Sequence, residues 1–145
     1  TYRFSKILDI QEQEKIQIEI IYKESVKSFE EVATKLYEML KKKEDLIAYQ
    51  NERLTFGASI DEVTHYASFI NSLEKTIEDL QKKVAQARVK MNWHEEKLLE
   101  KNIEVRKYEK MREKDFEAFQ VEQERSENIR LDELSTMAYY KKEIR

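Results

Sequence analysis

Arg53-Leu54-Thr55-Phe56-Gly57-Ala58-Ser59-Ile60 contains the only glycine among the 145 residues, and the chain has no proline. Glycine takes a left-handed backbone conformation without steric cost, so it commonly sits just past a helix end. Ser59-Ile60-Asp61-Glu62 follows and fits a capping box. The Ser59 hydroxyl is placed to accept from the Glu62 N–H, and the Glu62 carboxylate to reach back to the Ser59 N–H. Asp61 and Glu62 also put negative charge where the helix dipole favours it. A stop signal followed at once by a start signal predicts a turn between two helices, at about 54–59. The alternative is a glycine kink in one continuous helix.

Working outward, the first arm, about 4–53, carries apolar residues on alternating spacings of four and three. The seam reads Phe4, Leu8, Gln11, Lys15, Ile18, Tyr22, Ser25, Phe29, Val32, Leu36, Met39, Lys43, Leu46, and nine of these thirteen are apolar, which supports a heptad register. Gln11, Lys15 and Ser25 weaken it locally and are read as tolerated at a solvated edge. The second arm, about 60–140, repeats the pattern without a miss from Val63 through Tyr66, Ile70, Leu73, Ile77, Leu80, Val84 and Ala87 to Met91. It continues more loosely through His94, Leu98, Lys101, Val105 and Tyr108. Beyond Tyr108 the same register meets Arg112, Asp115, Phe119, Glu122, Ser126, Ile129 and Glu133, and the seam dissolves.

Arm length explains the fading. In an antiparallel hairpin turning near residue 56, position i faces roughly 112 − i, so Phe4 faces Tyr108 and the first arm has nothing further to offer. The expected architecture is all-α: residues 1–145 as a single antiparallel coiled-coil hairpin of two long helices, the second longer, with 109–145 an unpaired C-terminal overhang. The paired part would be roughly 70 Å long and the overhang up to roughly 55 Å if helical. The overhang carries Phe116, Phe119, Val121, Ile129, Leu131, Leu134, Met137, Tyr139, Tyr140 and Ile144. With no intramolecular partner, it either awaits another protein or frays.

Composition narrows the function. Charged residues make up 39% of the chain, with both signs mixed and a net charge of −3. This is the composition of a long helix or coiled coil. A two-helix seam encloses no cavity for a small-molecule substrate. No basic face for nucleic acid stands out, since Glu44 and Asp45 follow Lys41-Lys42-Lys43 directly. The chain has no cysteine, hence no disulfide framework and no thiolate metal site. No run approaches the length of a membrane span, and none reads as a signal peptide. Glu62-Val63-Thr64-His65 has the Glu-x-x-His spacing of di-iron bundles but lacks a second such pair, so no metal or other cofactor is expected. His94 reads as a partly exposed seam residue and Trp93 as a ring lying on the helix surface. Pairs such as Glu96–Glu100 beside Lys97–Lys101 read as solvated faces, not catalytic acids.

One feature exceeds what a seam requires. After the turn, Val63, Ile70, Ile77 and Val84 form one stripe and Phe69, Leu73, Thr76 and Leu80 a second beside it. Leu46, Ile47 and Tyr49 are similarly broad on the facing arm. The surplus is either an exposed protein-binding patch near the tip or a widened core that packs the turn.

The wording of several stretches adds to this spacing. Tyr2-Arg3-Phe4-Ser5-Lys6-Ile7-Leu8, Leu46-Ile47-Ala48-Tyr49-Gln50-Asn51-Glu52 and His65-Tyr66-Ala67-Ser68-Phe69-Ile70-Asn71-Ser72-Leu73-Glu74-Lys75-Thr76-Ile77 resemble the flagellar type III export protein FliJ family. Glu100 through Lys114 looks like its Bacillus-type version. The resemblance runs collinearly through nearly the whole chain. It implies an antiparallel two-helix coiled coil, similar to the stalk of the rotary ATP synthase, with no catalytic role. It implies work at the cytoplasmic face of the inner membrane, held there through partners. Those partners are the hexameric flagellar export ATPase, whose assembly and activity it promotes, the export gate protein FlhA, and export chaperones. Leu46, Tyr49, Phe69 and Leu73 match the family's gate-binding patch, while Lys42, Arg53, Thr76 and Leu80 depart from it. Heptad spacing puts Leu46, Leu73 and Leu80 in the seam, and the resemblance puts equivalent positions on an exposed surface. Phe116, Phe119, Ile129 and Leu134 are the expected contacts to the ATPase ring. The rival readings are a general coiled-coil chaperone or scaffold that touches no ATPase, and a stalk of the related virulence secretion systems, against which the motif wording argues.

Overall fold

The computed structural model describes residues 4–144, the side chain of Ile144 excepted. Tyr2 and Arg3 of the opening string lie outside the described residues. Two helices account for nearly all of these residues, α1 over Ser5–Phe56 and α2 over Ile60–Ile144, with no strand among them. They form an all-α antiparallel coiled-coil hairpin in which α2 is the longer.

The break between the helices is three residues long. Gly57 has φ +90°, and its N–H donates to the Leu54 carbonyl at 3.4 Å, which terminates α1. Helix α1 therefore runs three residues past Arg53, because the left-handed residue itself marks the end. Ser59 caps α2: its Oγ accepts from the Glu62 N–H at 3.2 Å, and its carbonyl accepts from the Val63 N–H at 3.1 Å. Only half of the expected capping box forms. The Glu62 carboxylate turns instead to Arg53, whose Nη2 donates to both its oxygens at 3.0 and 3.3 Å. A full cation within reach is a stronger donor than one more backbone N–H.

The packing divides into two units, one spanning Ile16–Leu99 and the other combining the chain up to Lys15 with the chain from Glu100 onward. In the first, every seam position from Ile18 to Leu46 and from Val63 to Leu98 is buried or half-buried. Leu73, Ile77 and Leu80 are its innermost apolar residues. Cross-arm pairs fix the register: Arg53 with Glu62, Tyr49 with Tyr66, and Lys43 with Glu74 at 3.3 Å. The first two pairs have residue numbers summing to 115, not the 112 expected. The shift follows from the turn, which is centred on Ala58 and not on Phe56. Ser25 corrects a further expectation. It is buried in the seam, and its hydroxyl donates to the Tyr22 carbonyl at 2.6 Å, so a local bond replaces the water it has lost.

In the second unit, Leu8 and Val105 are almost wholly buried. Burying each such side chain contributes about 1.5–3 kcal/mol. Next to them, on the side toward the turn, lies a polar layer that also differs from expectation. Lys101, read as part of a solvated face, is only 9% exposed. Its ammonium donates to Gln11 Oε1 and Glu14 Oε2, and lies 3.5 Å from Glu104 Oε2. Gln11 thus supplies an acceptor within the seam. The register shift moves the position opposite Phe4 to Met111, and Met111 is the last residue of α2 that is not fully exposed. Every described side chain from Arg112 to Glu143 is exposed. The overhang is nevertheless continuous helix, with Lys141 and Lys142 in its last turn, where the dipole favours cations.

Candidate functional site

Near the turn, the two arms bring Tyr49 of α1 and Phe69 of α2 to the surface. Tyr49 is 47% exposed and Phe69 42%. Each is held by a neighbour across the seam. The Tyr49 ring meets Tyr66 edge-on at 5.5 Å, and the Lys42 ammonium sits 5.5 Å from the centre of the Phe69 ring. A hydrogen bond with Tyr49, reinforced by desolvation, pushes the Tyr66 phenol above its usual pKa. Arg53 closes the base of this cluster through Glu62, whose hydrogen bond and charge hold the guanidinium further above its usual value.

The four residues matched to the gate patch divide by depth. Tyr49 and Phe69 are exposed, Leu46 is half-buried, and Leu73 is buried at 7% exposure. Leu80 is buried as well. Seam and patch therefore meet within one helix face, with the leucines beneath and the aromatics outside. Spacing alone could not assign these depths, because Phe69 and Leu73 lie on the same turn-to-turn stripe. Lys42 braces the Phe69 ring, while Arg53 is engaged by Glu62. Thr76 instead donates to the carbonyl of Ser72 at 3.2 Å, a bond within its own helix.

Sequence reasoning missed the apex itself. Leu54, Phe56 and Ile60 flank the turn at 50%, 80% and 84% exposure. The available signal was three large apolar residues lying beyond any seam position. His65 is exposed, its ring 6.0 Å from that of Tyr66, while Glu62 of the Glu-x-x-His pair is engaged by Arg53.

A second apolar surface lies on the overhang. Phe116, Phe119, Ile129 and Leu134 are each about half exposed or more, and none packs against α1. They do not form one stripe. At about 100° per residue, Phe116, Phe119 and Leu134 share a face and Ile129 sits to its side. Just before the overhang, Arg106, Lys107, Lys110 and Lys114 line a shallow groove with Ile103 and Met111. This local basic strip was not expected from composition, because Glu104, Glu109 and Glu113 interrupt it in sequence, though none of them lines the groove.

Among the described residues no helix is long and apolar enough to cross a membrane. None of them forms a group of three or more His, Cys, Asp or Glu side chains able to hold a metal ion.

Residues 1–143 match the protein family described as Flagellar FliJ protein. The chain is 45% identical over 134 residues to the flagellar FliJ protein of Bacillus subtilis (strain 168), an alignment covering 92% of this chain and 91% of that relative. No solved structure matches the chain.

Proposed function

Because the chain belongs to the FliJ family and is therefore a component of flagellar protein export, we propose that it acts there without catalysis, as a coiled-coil stalk. In this reading residues 1–145 work as one hairpin. It promotes assembly and activity of the hexameric export ATPase, couples that ring to the gate protein FlhA, and binds export chaperones. It resides in the cytoplasm at the inner membrane, held there by these partners. One observation carries the reading: the hairpin leaves two separate apolar surfaces without a partner, one beside the turn and one on the overhang. Tyr49 and Phe69 make the contact to the gate, with Leu46 at its edge and Leu73 beneath as packing. Phe116, Phe119, Ile129 and Leu134 meet the ring. Coupling then requires that the chain bind states of the ring with different affinity.

The test is ATP hydrolysis by the cognate flagellar export ATPase, with and without this chain. Stimulation is expected, and it is lost when the chain is cut after Met111, while binding to FlhA persists. The cut removes residues that bury nothing against α1, so the thermal midpoint of the hairpin stays unchanged. Tyr49→Ala combined with Phe69→Ala does the reverse, losing the gate and keeping stimulation. If both variants lose both activities, the division of labour is wrong. If a ring-competent ATPase is not stimulated at all, the general chaperone reading replaces it.

A further inference from the structure

The overhang carries a pattern that reads the same from either end. On one face of α2, spacings of four and three residues link Arg112, Phe116, Phe119, Gln123 and Ser126. Counting back from Lys141, the same spacings reach Met137, Leu134, Arg130 and Glu127. The two halves meet between Ser126 and Glu127. Phe116, Phe119, Leu134 and Met137 are each more than half exposed. Around the midpoint, Phe119, Glu122, Gln123, Ser126, Glu127 and Arg130 line a single shallow groove.

We propose that this face pairs with the same face of a second copy of the chain, antiparallel, about a two-fold axis between residues 126 and 127. An isologous contact requires a surface that complements itself; from Phe116 to Met137 this one does, and only the end layers, Arg112 against Lys141, bring like charges together. Phe116 packs against Met137 of the second copy, and Phe119 against its Leu134, so large apolar groups meet large apolar groups in four layers. The central layers are polar on both sides: Arg130 lies beside Gln123 and Glu122 of the second copy. A parallel pair would set Arg130 against Arg130, which like-charge repulsion disfavours. A second copy is also the occupant whose chemistry the groove itself specifies, since the acidic and basic groups it needs lie in the same groove. A helix takes most of its stability in a protein from packing one face against a partner, and pairing gives the overhang a covered face. The pairing uses residues assigned above to the ring, so dimer and ring compete for them. The pairing itself stands without that assignment.

The native chain lacks cysteine, so single cysteines report cleanly. Sedimentation equilibrium of the full chain should show a mass rising with concentration from 17.6 kDa toward twice that value. Phe119→Glu should hold it at 17.6 kDa with its helical circular dichroism intact. Under oxidation Ser126→Cys should form a covalent dimer. Phe119→Cys should not do so alone but should do so when mixed with Leu134→Cys. A mass that stays at the monomer value into the hundreds of micromolar overturns the proposal and leaves the face to a different protein. Self-crosslinking of Phe119→Cys as readily as Ser126→Cys overturns it in favour of a parallel pair. Dimers that survive Phe119→Glu place the contact elsewhere and overturn it as well.

Discussion

Gly57 holds φ at +90°, and nothing lies within 4 Å of where its Cβ would stand. The penalty for replacing it is therefore a backbone penalty, not a clash. Left-handed geometry costs an ordinary L-residue roughly 1–2 kcal/mol, and Asn less because its side chain bonds locally. Gly57→Ala is expected to destabilise the hairpin by about that amount and Gly57→Asn by distinctly less, measured by urea unfolding. Equal losses for both would mean that the open space is filled in solution. Arg53 and Glu62 work on the same few residues. Their forked pair joins the last turn of α1 to the first turn of α2, so the turn is held by a side-chain clasp as well as by its backbone.

At the scale of the helix, the polar layer at Lys101 decides more than its size suggests. The ammonium is nearly enclosed and sits among Gln11, Glu14 and Glu104. The hydrogen bond to Glu14, followed by the Glu104 and Glu14 charges, outweighs desolvation and raises its pKa. A lysine raised on folding contributes stability that is present below its unfolded value of ~10.4 and is lost as pH climbs through the higher folded value. Lys101→Met removes the buried charge, and because Glu14 and Glu104 are each about half exposed, no carboxylate is left stranded in the interior. The variant should therefore match or exceed the native chain at neutral pH and lack its alkaline loss above about pH 10.4, followed by melting at stepped pH. An identical alkaline slope in both would remove Lys101 as the source. Nothing in the apolar pattern announced this layer. The heptad located the position, since every seam residue from Leu8 to Tyr108 is buried or half-buried as the spacing requires. It could not tell that a lysine there would find acceptors from Gln11 and Glu14, some ninety positions earlier in the chain. The residues proposed to meet the gate were legible to the same degree. Spacing named the stripe, but only cross-arm packing separates the exposed Phe69 from the buried Leu73. Phe56 and Ile60 were passed over because they flank the turn at the helix ends, where the seam periodicity has nothing to say.

For the whole molecule, the register of about 115 orders the cross-arm contacts by distance along the chain. Arg53 and Glu62 are nine residues apart, Tyr49 and Tyr66 seventeen, Lys43 and Glu74 thirty-one, and Gln11 and Lys101 ninety. Closing a loop costs entropy that grows with its length, so the nine-residue contact is the cheapest to form first. Each contact already made shortens the loop that the next must close. The three-residue turn is therefore a kinetic feature as well as a geometric one. Loop-closure entropy predicts folding as a zipper that starts beside Gly57 and runs toward the chain ends. Gly57→Ala should then slow refolding, while Lys101→Met should leave refolding unchanged and alter only the unfolding limb, read by stopped-flow fluorescence of Trp93. Refolding slowed equally by both would mean that the arms find each other along their whole length at once. In the zipper, the helix segments farthest from the turn are the last to join on folding and the first to part on unfolding.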